Sequence, residues 1–250
     1  MAFRDPFANP SQGYSRSQAA VGFDAGLRSY MLRIYNYMAS ALALTGIVAL
    51  AVASTPALMS MFFVVHEGHA GLSGLGWVVL IAPLGLVMWL NMGLAKMNTA
   101  TAQAIFWAFA VLMGLSLAPI FLAYTGASIS LAFFSTAATF GAVSLYGYTT
   151  KKDLTGMGHF MRMGLFGLII ASLLNIFLQS SGLNWALSCI GVVVFTGLTA
   201  YDTQKLKSMY YQIGGTGSYA TKMAIMGALS LYLDFINMFM MLLRLMGDRR

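Results

Sequence analysis

Apolar side chains run through this chain in seven long blocks separated by short polar stretches, at approximately 34–53, 76–95, 101–122, 127–148, 161–178, 185–204 and 223–246. Each block approaches or exceeds the about 20 apolar residues that a helix needs to cross a bilayer core. The seventh is interrupted by Asp234, Asn237 and Arg244. This pattern predicts an all-α, polytopic membrane protein with seven transmembrane helices. Residues 31–250 form one transmembrane domain behind a polar, cytoplasmic N-terminal tail, 1–30.

Composition agrees. The chain is 59% hydrophobic and 8% charged, with a mean hydropathy of +0.75, whereas a soluble domain carries about 25% charged residues. The 19 Met, 17 Phe and 26 Gly suit helices that associate in lipid through close contact of soft and small groups. The first thirty residues are polar and contain Gly, Ser and Pro, unlike a cleaved signal peptide. Cys189 is the only cysteine, so no intrachain disulfide forms and a zinc cluster is disfavoured; it reads as a packing residue.

The formal charge of +7 is scattered as ones and twos between apolar blocks, which marks membrane topology and not a nucleic-acid surface. Arg4, Arg16, Arg28 and Arg33 precede or open the first block, Lys96 follows the second, Lys151, Lys152 and Arg162 surround the fourth connection, and Lys205, Lys207 and Lys222 surround the sixth. Connections at His66-Glu67, Tyr124-Thr125-Gly126 and Ser180-Ser181-Gly182 hold no Lys or Arg. The excess of positive charge places the N-terminus inside. Seven crossings then put the C-terminus outside, although it carries Arg244, Arg249 and Arg250. Either the last block crosses or it is re-entrant; at 1.5 Å per residue it is about 36 Å long, which favours a crossing.

Only two of the seven acidic residues, Asp202 and Asp234, fall within apolar blocks. A carboxylate in hydrocarbon is costly unless it is protonated, paired or hydrated, so such an acid faces the bundle interior. For Asp202 there is a plain alternative, a helix-surface pair with Lys205 three residues on. Asp234 has no basic residue within one turn; its plain alternative is a protonated carboxyl donating to a carbonyl or to Asn175. The two carriers are consecutive helices and therefore expected antiparallel neighbours. A seventh helix starting in the interface at Lys222 would put Asp234 about 18 Å deep, so the acids meet only if that helix starts in the cytosol or a crevice reaches upward.

Two carboxylates that meet without a buried cation cannot both ionise cheaply, and they titrate as a unit. Holding a proton, they tie two helices together; deprotonated, they offer hard oxygen ligands for a divalent cation such as calcium. Because a calcium cage needs about six to eight oxygens, Asp202 and Asp234 form at most a weak, hydrated passage site.

Three stretches, AYDTQKL at 200–206, GYTTKKDLTGMG at 147–158 and ALSLYLDFINMFMMLLRLMG at 228–247, resemble the Bax inhibitor-1 family, also called the transmembrane Bax inhibitor motif family. The resemblance extends from about Arg28 onward and points to a bacterial member. It implies seven helices with the last one central, a cytoplasmic N-terminus, and the family's paired acids at Asp202 and Asp234, acting as a pH sensor for a calcium leak. The expected function is thus a pH-sensitive calcium (cation) leak channel, with membrane lipids and calcium ions as partners, no tightly bound cofactor and no enzymatic activity. One departure stands out: a relative has an arginine in the second helix that engages the acids, whereas 76–95 has no charge. Asn91 is its strongest polar group, and Arg33 is the candidate substitute cation, unless it snorkels to lipid phosphates. Asn175, Asn237 and Arg244 are further candidate supporting groups.

Smaller signals change little. His66-Glu67-Gly68-His69 lacks the HExxH spacing that puts two histidines on one helical face and reads as an outer loop. Lys151-Lys152-Asp153 reads as an inner loop on anionic headgroups. Pro83 and Pro119 fall inside spans, where they kink helices and free carbonyls, or give packing flexibility. No GxGD-like sequence accompanies either acid, which argues against an aspartyl protease. The competing function is an interaction protein that modulates a membrane-bound stress-response or quality-control protease without significant flux; a bacterial inner (plasma) membrane is the expected location.

Overall fold

The computed structural model describes residues 11–66, 69–214 and 217–249, with side chains from 25 onward except 65–70. The first ten residues of the expected tail and the Glu67-Gly68 centre of the histidine loop lie outside the described residues. Helices α1 (Ser11–Ala53), α2 (Pro56–Phe62), α3 (Gly74–Gly93), α4 (Thr99–Leu117), α5 (Ile120–Ala123), α6 (Gly126–Thr149), α7 (Thr155–Leu178), α8 (Ser181–Ile213) and α9 (Gly217–Met246) follow in order. A small antiparallel hairpin, β1 (Phe63–His66) and β2 (His69–Leu72), lies between α2 and α3.

Seven helical segments are long and apolar enough to cross a membrane: Ala25–Ala53, Gly74–Gly93, Thr99–Ala123, Gly126–Thr149, Thr155–Leu178, Ser181–Ile213 and Gly217–Met246. The protein is an all-α, polytopic membrane bundle apart from the hairpin. Side-chain caps begin four of the spans by accepting orphan backbone N–H groups: Ser73 for α3, Asn98 for α4, Thr125 for α6 and Ser180 for α8. α7 ends in a left-handed Gln179 (φ 48°), and Gly214 (φ 72°) ends α8, where a residue without Cβ adopts that conformation at no steric cost.

The two prolines act differently. Pro119 ends α4 and opens the short α5, dividing the third span. Pro83 stays inside α3 and is buried. Lacking an N–H, Pro83 leaves the carbonyl of Val79 without its helical donor; the Ser116 hydroxyl of α4 donates to that oxygen at 2.9 Å. In lipid, such a replacement donor is what makes the break tolerable.

α9 is central, packed against α1, α4, α6 and α8. Tyr232 is fully buried on it, meets Phe109 of α4 edge-on at 5.2 Å between ring centroids and shares a 2.8 Å hydrogen bond with Thr45 of α1. Thr45 in turn donates to Ala110 O of α4 at 2.9 Å, so one polar chain fastens three helices and satisfies each buried hydroxyl. α7 is peripheral and packs principally on α8.

The C-terminal segment meets the loop before α6. Thr125 N donates to Asp248 O at 3.2 Å and Asp248 N donates to Ser128 Oγ at 2.9 Å. The end of α9 thus lies on the face where α6 begins, opposite the connection from which α9 starts. The last helix crosses; it is not re-entrant.

Candidate functional site

Both α8 and α9 extend beyond the apolar blocks that announce them. α8 continues nine residues past Gln204, and α9 starts six residues before Met223. The helical hairpin therefore projects past the lysine level. Asp202 lies eleven residues before the end of α8 and Asp234 seventeen residues after the start of α9, an axial offset of about 9 Å at 1.5 Å per residue.

Asp234 is buried, 6% exposed, among α9 residues that are themselves buried: Leu231, Tyr232, Phe235 and Ile236. Its Oδ2 has no hydrogen-bond partner among the described residues. Asp202 is half-buried and lines a cavity of about 290 Å³ together with Asn91, Lys205, Met223 and Ser230. Ser230 is one turn before Asp234 on α9. No hydrogen bond joins the two carboxyls among the described residues.

The remaining candidates separate into two ends. Asn91 joins Asp202 at the cavity, while its amide donates to Val87 O of its own helix at 2.8 Å. Arg33 donates to Thr221 Oγ1 at 3.2 Å and opens into a different cleft, with Arg28, Asn36 and Trp107. Asn175 sits at the far end of α7, where its Oδ1 accepts from Ser180 N at 3.1 Å. With Asn237 and Arg244 it lines a crevice of about 640 Å³ on the C-terminal face. Asn237 donates to Leu233 O at 2.8 Å.

Lys222, which charge counting assigns only to topology, has a structural task. It is 9% exposed, and its ammonium donates to Leu94 O and Met97 O, both at 3.1 Å. Leu94 is the C-cap of α3, the end at which a cation interacts favourably with the helix dipole, and Met97 lies in the turn that follows. Leu94 and Met223 both line the Asp202 cavity, so Lys222 fixes the end of α3 beside its mouth.

Two of the resemblance-bearing stretches are physical partners. Gln204 accepts from Leu154 N at 2.8 Å and donates to Lys152 O at 2.7 Å. Lys207 donates to Tyr148 O at 2.8 Å. Arg162 donates to the Tyr201 hydroxyl at 2.7 Å, its guanidinium 4.8 Å from the ring centroid. Gly158 leaves room for that ring and Gly147 for the Ala200 carbonyl, both of which a Cβ would strike. Outside the spans, Asp153 begins α7 by accepting from Thr155 N at 2.9 Å. Hydrogen bonds from the Thr155 side chain and backbone hold the Asp153 carboxyl below its usual range.

Among the described residues, no group of three or more His, Cys, Asp or Glu could hold a metal ion. Any cation at the Asp202 cavity would rely on few protein oxygens and keep most of its water.

Comparison with known proteins covers almost the whole chain. The family described as Inhibitor of apoptosis-promoting Bax1 matches residues 27–250. A Rickettsia prowazekii protein is 52% identical over 228 residues, covering 91% of this chain and 93% of the relative. The Inner membrane protein YbhL of Escherichia coli is 47% identical over 238 residues, covering 95% and 99%. A Caulobacter vibrioides protein is 45% identical over 245 residues, covering 96% and 98%. Matched from α1 to the C-terminal segment, the chain belongs to the Bax inhibitor-1 family.

Proposed function

We propose that the protein is a pH-sensitive calcium (cation) leak of a bacterial inner membrane, with Asp202 and Asp234 as the ion pathway and proton-sensing groups. The observation that carries this reading is the Asp234 Oδ2, buried in the central helix without a hydrogen-bond partner among the described residues, one turn beyond a polar cavity that Asp202 lines. A buried polar atom left unsatisfied in the middle of a bundle is destabilising and marks an intramembrane acid as functional. Protonation changes how strongly Asp202 and Asp234 repel, and so biases the packing of α8 on α9. Deprotonated, the same oxygens attract a hydrated cation from the cavity. The cell location follows the name of the Escherichia coli relative, and the charge pattern puts the N-terminus inside.

The test is calcium entry into dye-loaded proteoliposomes across the acid-to-neutral range, beside folded Asp202→Asn and Asp234→Asn variants. The expected result is flux above empty vesicles whose pH profile either substitution changes. A folded native protein that carries no calcium at any pH would overturn the channel reading and favour a modulator of a membrane-bound protease.

A further inference from the structure

The crevice on the C-terminal face has the two-part chemistry of a lipid site. α7 and α9 both flank α8, but α7 packs principally on α8 alone, which leaves an opening between peripheral α7 and central α9. At the interfacial end stand Asn175, Asn184, Arg244 and Arg249; deeper, the lining turns apolar through Leu165, Ile169 and Leu173. Ile169 and Leu173 are exposed on the face of α7 that looks into the bilayer, so the crevice is continuous with the lipid-facing surface. Its volume of about 640 Å³ falls within the roughly 300–1,000 Å³ typical of ligand sites.

Charge selects the occupant. Two guanidiniums line the interfacial end, and no acidic residue does so among the described residues. Arg249 is stacked over the Tyr124 ring at 5.8 Å, which positions its cation. Arg244 is exposed and its guanidinium has no hydrogen bond, ion pair or ring contact among the described residues. Guanidiniums bind phosphate oxygens through paired charge-assisted hydrogen bonds. We propose that this crevice binds one anionic phospholipid of the leaflet at the C-terminal face, its phosphate between Arg244 and Arg249 and an acyl chain along α7.

The experiment is native mass spectrometry of the full chain, delipidated in detergent and titrated with phosphatidylglycerol or phosphatidylethanolamine. One phosphatidylglycerol per chain is expected to be retained about tenfold more strongly than phosphatidylethanolamine. The Arg244→Gln/Arg249→Gln variant should lose that preference. Ile169→Trp, at an exposed position that tolerates bulk, keeps both charges and should weaken retention by obstructing the acyl chain. Equal binding of the two lipids would overturn the proposal, as would full competition by glycerol 3-phosphate, which shows a free-anion site. A lipid-free dimer that occupies the crevice would also overturn it, as would unchanged lipid retention in both folded variants.

Discussion

Replacing Lys222 by Met keeps the length and apolar stem of the side chain but removes the ammonium that closes α3. The two bonds to Leu94 O and Met97 O are lost. A hydrogen bond to a charged group contributes about 1.5–3 kcal/mol. The two share one cation, so their contributions are not independent. The net loss should therefore be nearer that of one such bond, about 2 kcal/mol. For a chain of this length, each kcal/mol moves Tm by about 2–4 °C, so a fall of about 4–8 °C is expected. The half-buried thiol of Cys189 provides the assay: a thiol-reactive dye reports its exposure during heating in detergent. Because Leu94 borders the Asp202 cavity, the proposed function further predicts that the loosened α3 end raises calcium entry into proteoliposomes. Lys222→Arg should restore most of the stability. A Tm within about 1 °C of native, well below the shift that one lost charged bond produces, with unchanged leak, would refute the view that Lys222 fastens α3 beside the cavity.

Two further predictions concern packing and protonation. Gly147→Ala would drive a Cβ into the Ala200 carbonyl, a backbone atom that yields little, so a loss of about 1–3 kcal/mol is expected. Gly141→Ala on the same helix meets nothing within 4 Å and should leave thermal stability native or slightly higher; equal Tm values for the two variants would contradict the close approach of α6 to α8. Thr155→Ala removes one of the two hydrogen bonds that hold the Asp153 carboxyl low. Its titration midpoint, followed by carboxyl-carbon NMR, should rise toward the ordinary aspartate value. The native interaction supports the folded state above the ordinary carboxylate range and is lost as pH falls through the lowered value; an unmoved midpoint would exclude the Thr155 side chain as its cause.

The helices were legible because lipid imposes a strong and uniform rule: a run of apolar residues long enough to span must satisfy its own backbone. The ends of α8 and α9 were not, because hydropathy stops where lipid stops and a helix need not. That difference misplaces Asp234 when depth is counted from Lys222. The β1–β2 hairpin also escaped the pattern, since its short strands resemble an apolar loop. At the candidate site, sequence singled out both acids because charge is rare in apolar blocks. It read Lys222 and Lys207 only as topology charges and passed over Gln204; the donors of all three serve carbonyls of distant segments, a pairing that one-dimensional spacing does not carry. Asn175 and Asp202 stand at opposite faces because α7 and α8 run antiparallel, which places the start of one beside the end of the other.

The central placement of α9 has a consequence for biosynthesis. Proteins emerge from the ribosome N-terminal part first, so the six spans that precede α9, four of which pack against it, are made before it. Until it arrives, those spans face an unfilled interior, in which Thr45 lacks the Tyr232 hydroxyl it bonds in the finished bundle and the end of α3 lacks its lysine. The nascent bundle is thus a receptacle with polar hooks waiting for one helix, and that helix carries an aspartate to a depth where few would insert alone. Completion of the protein depends on α9 entering a prepared protein environment more than on its own affinity for lipid.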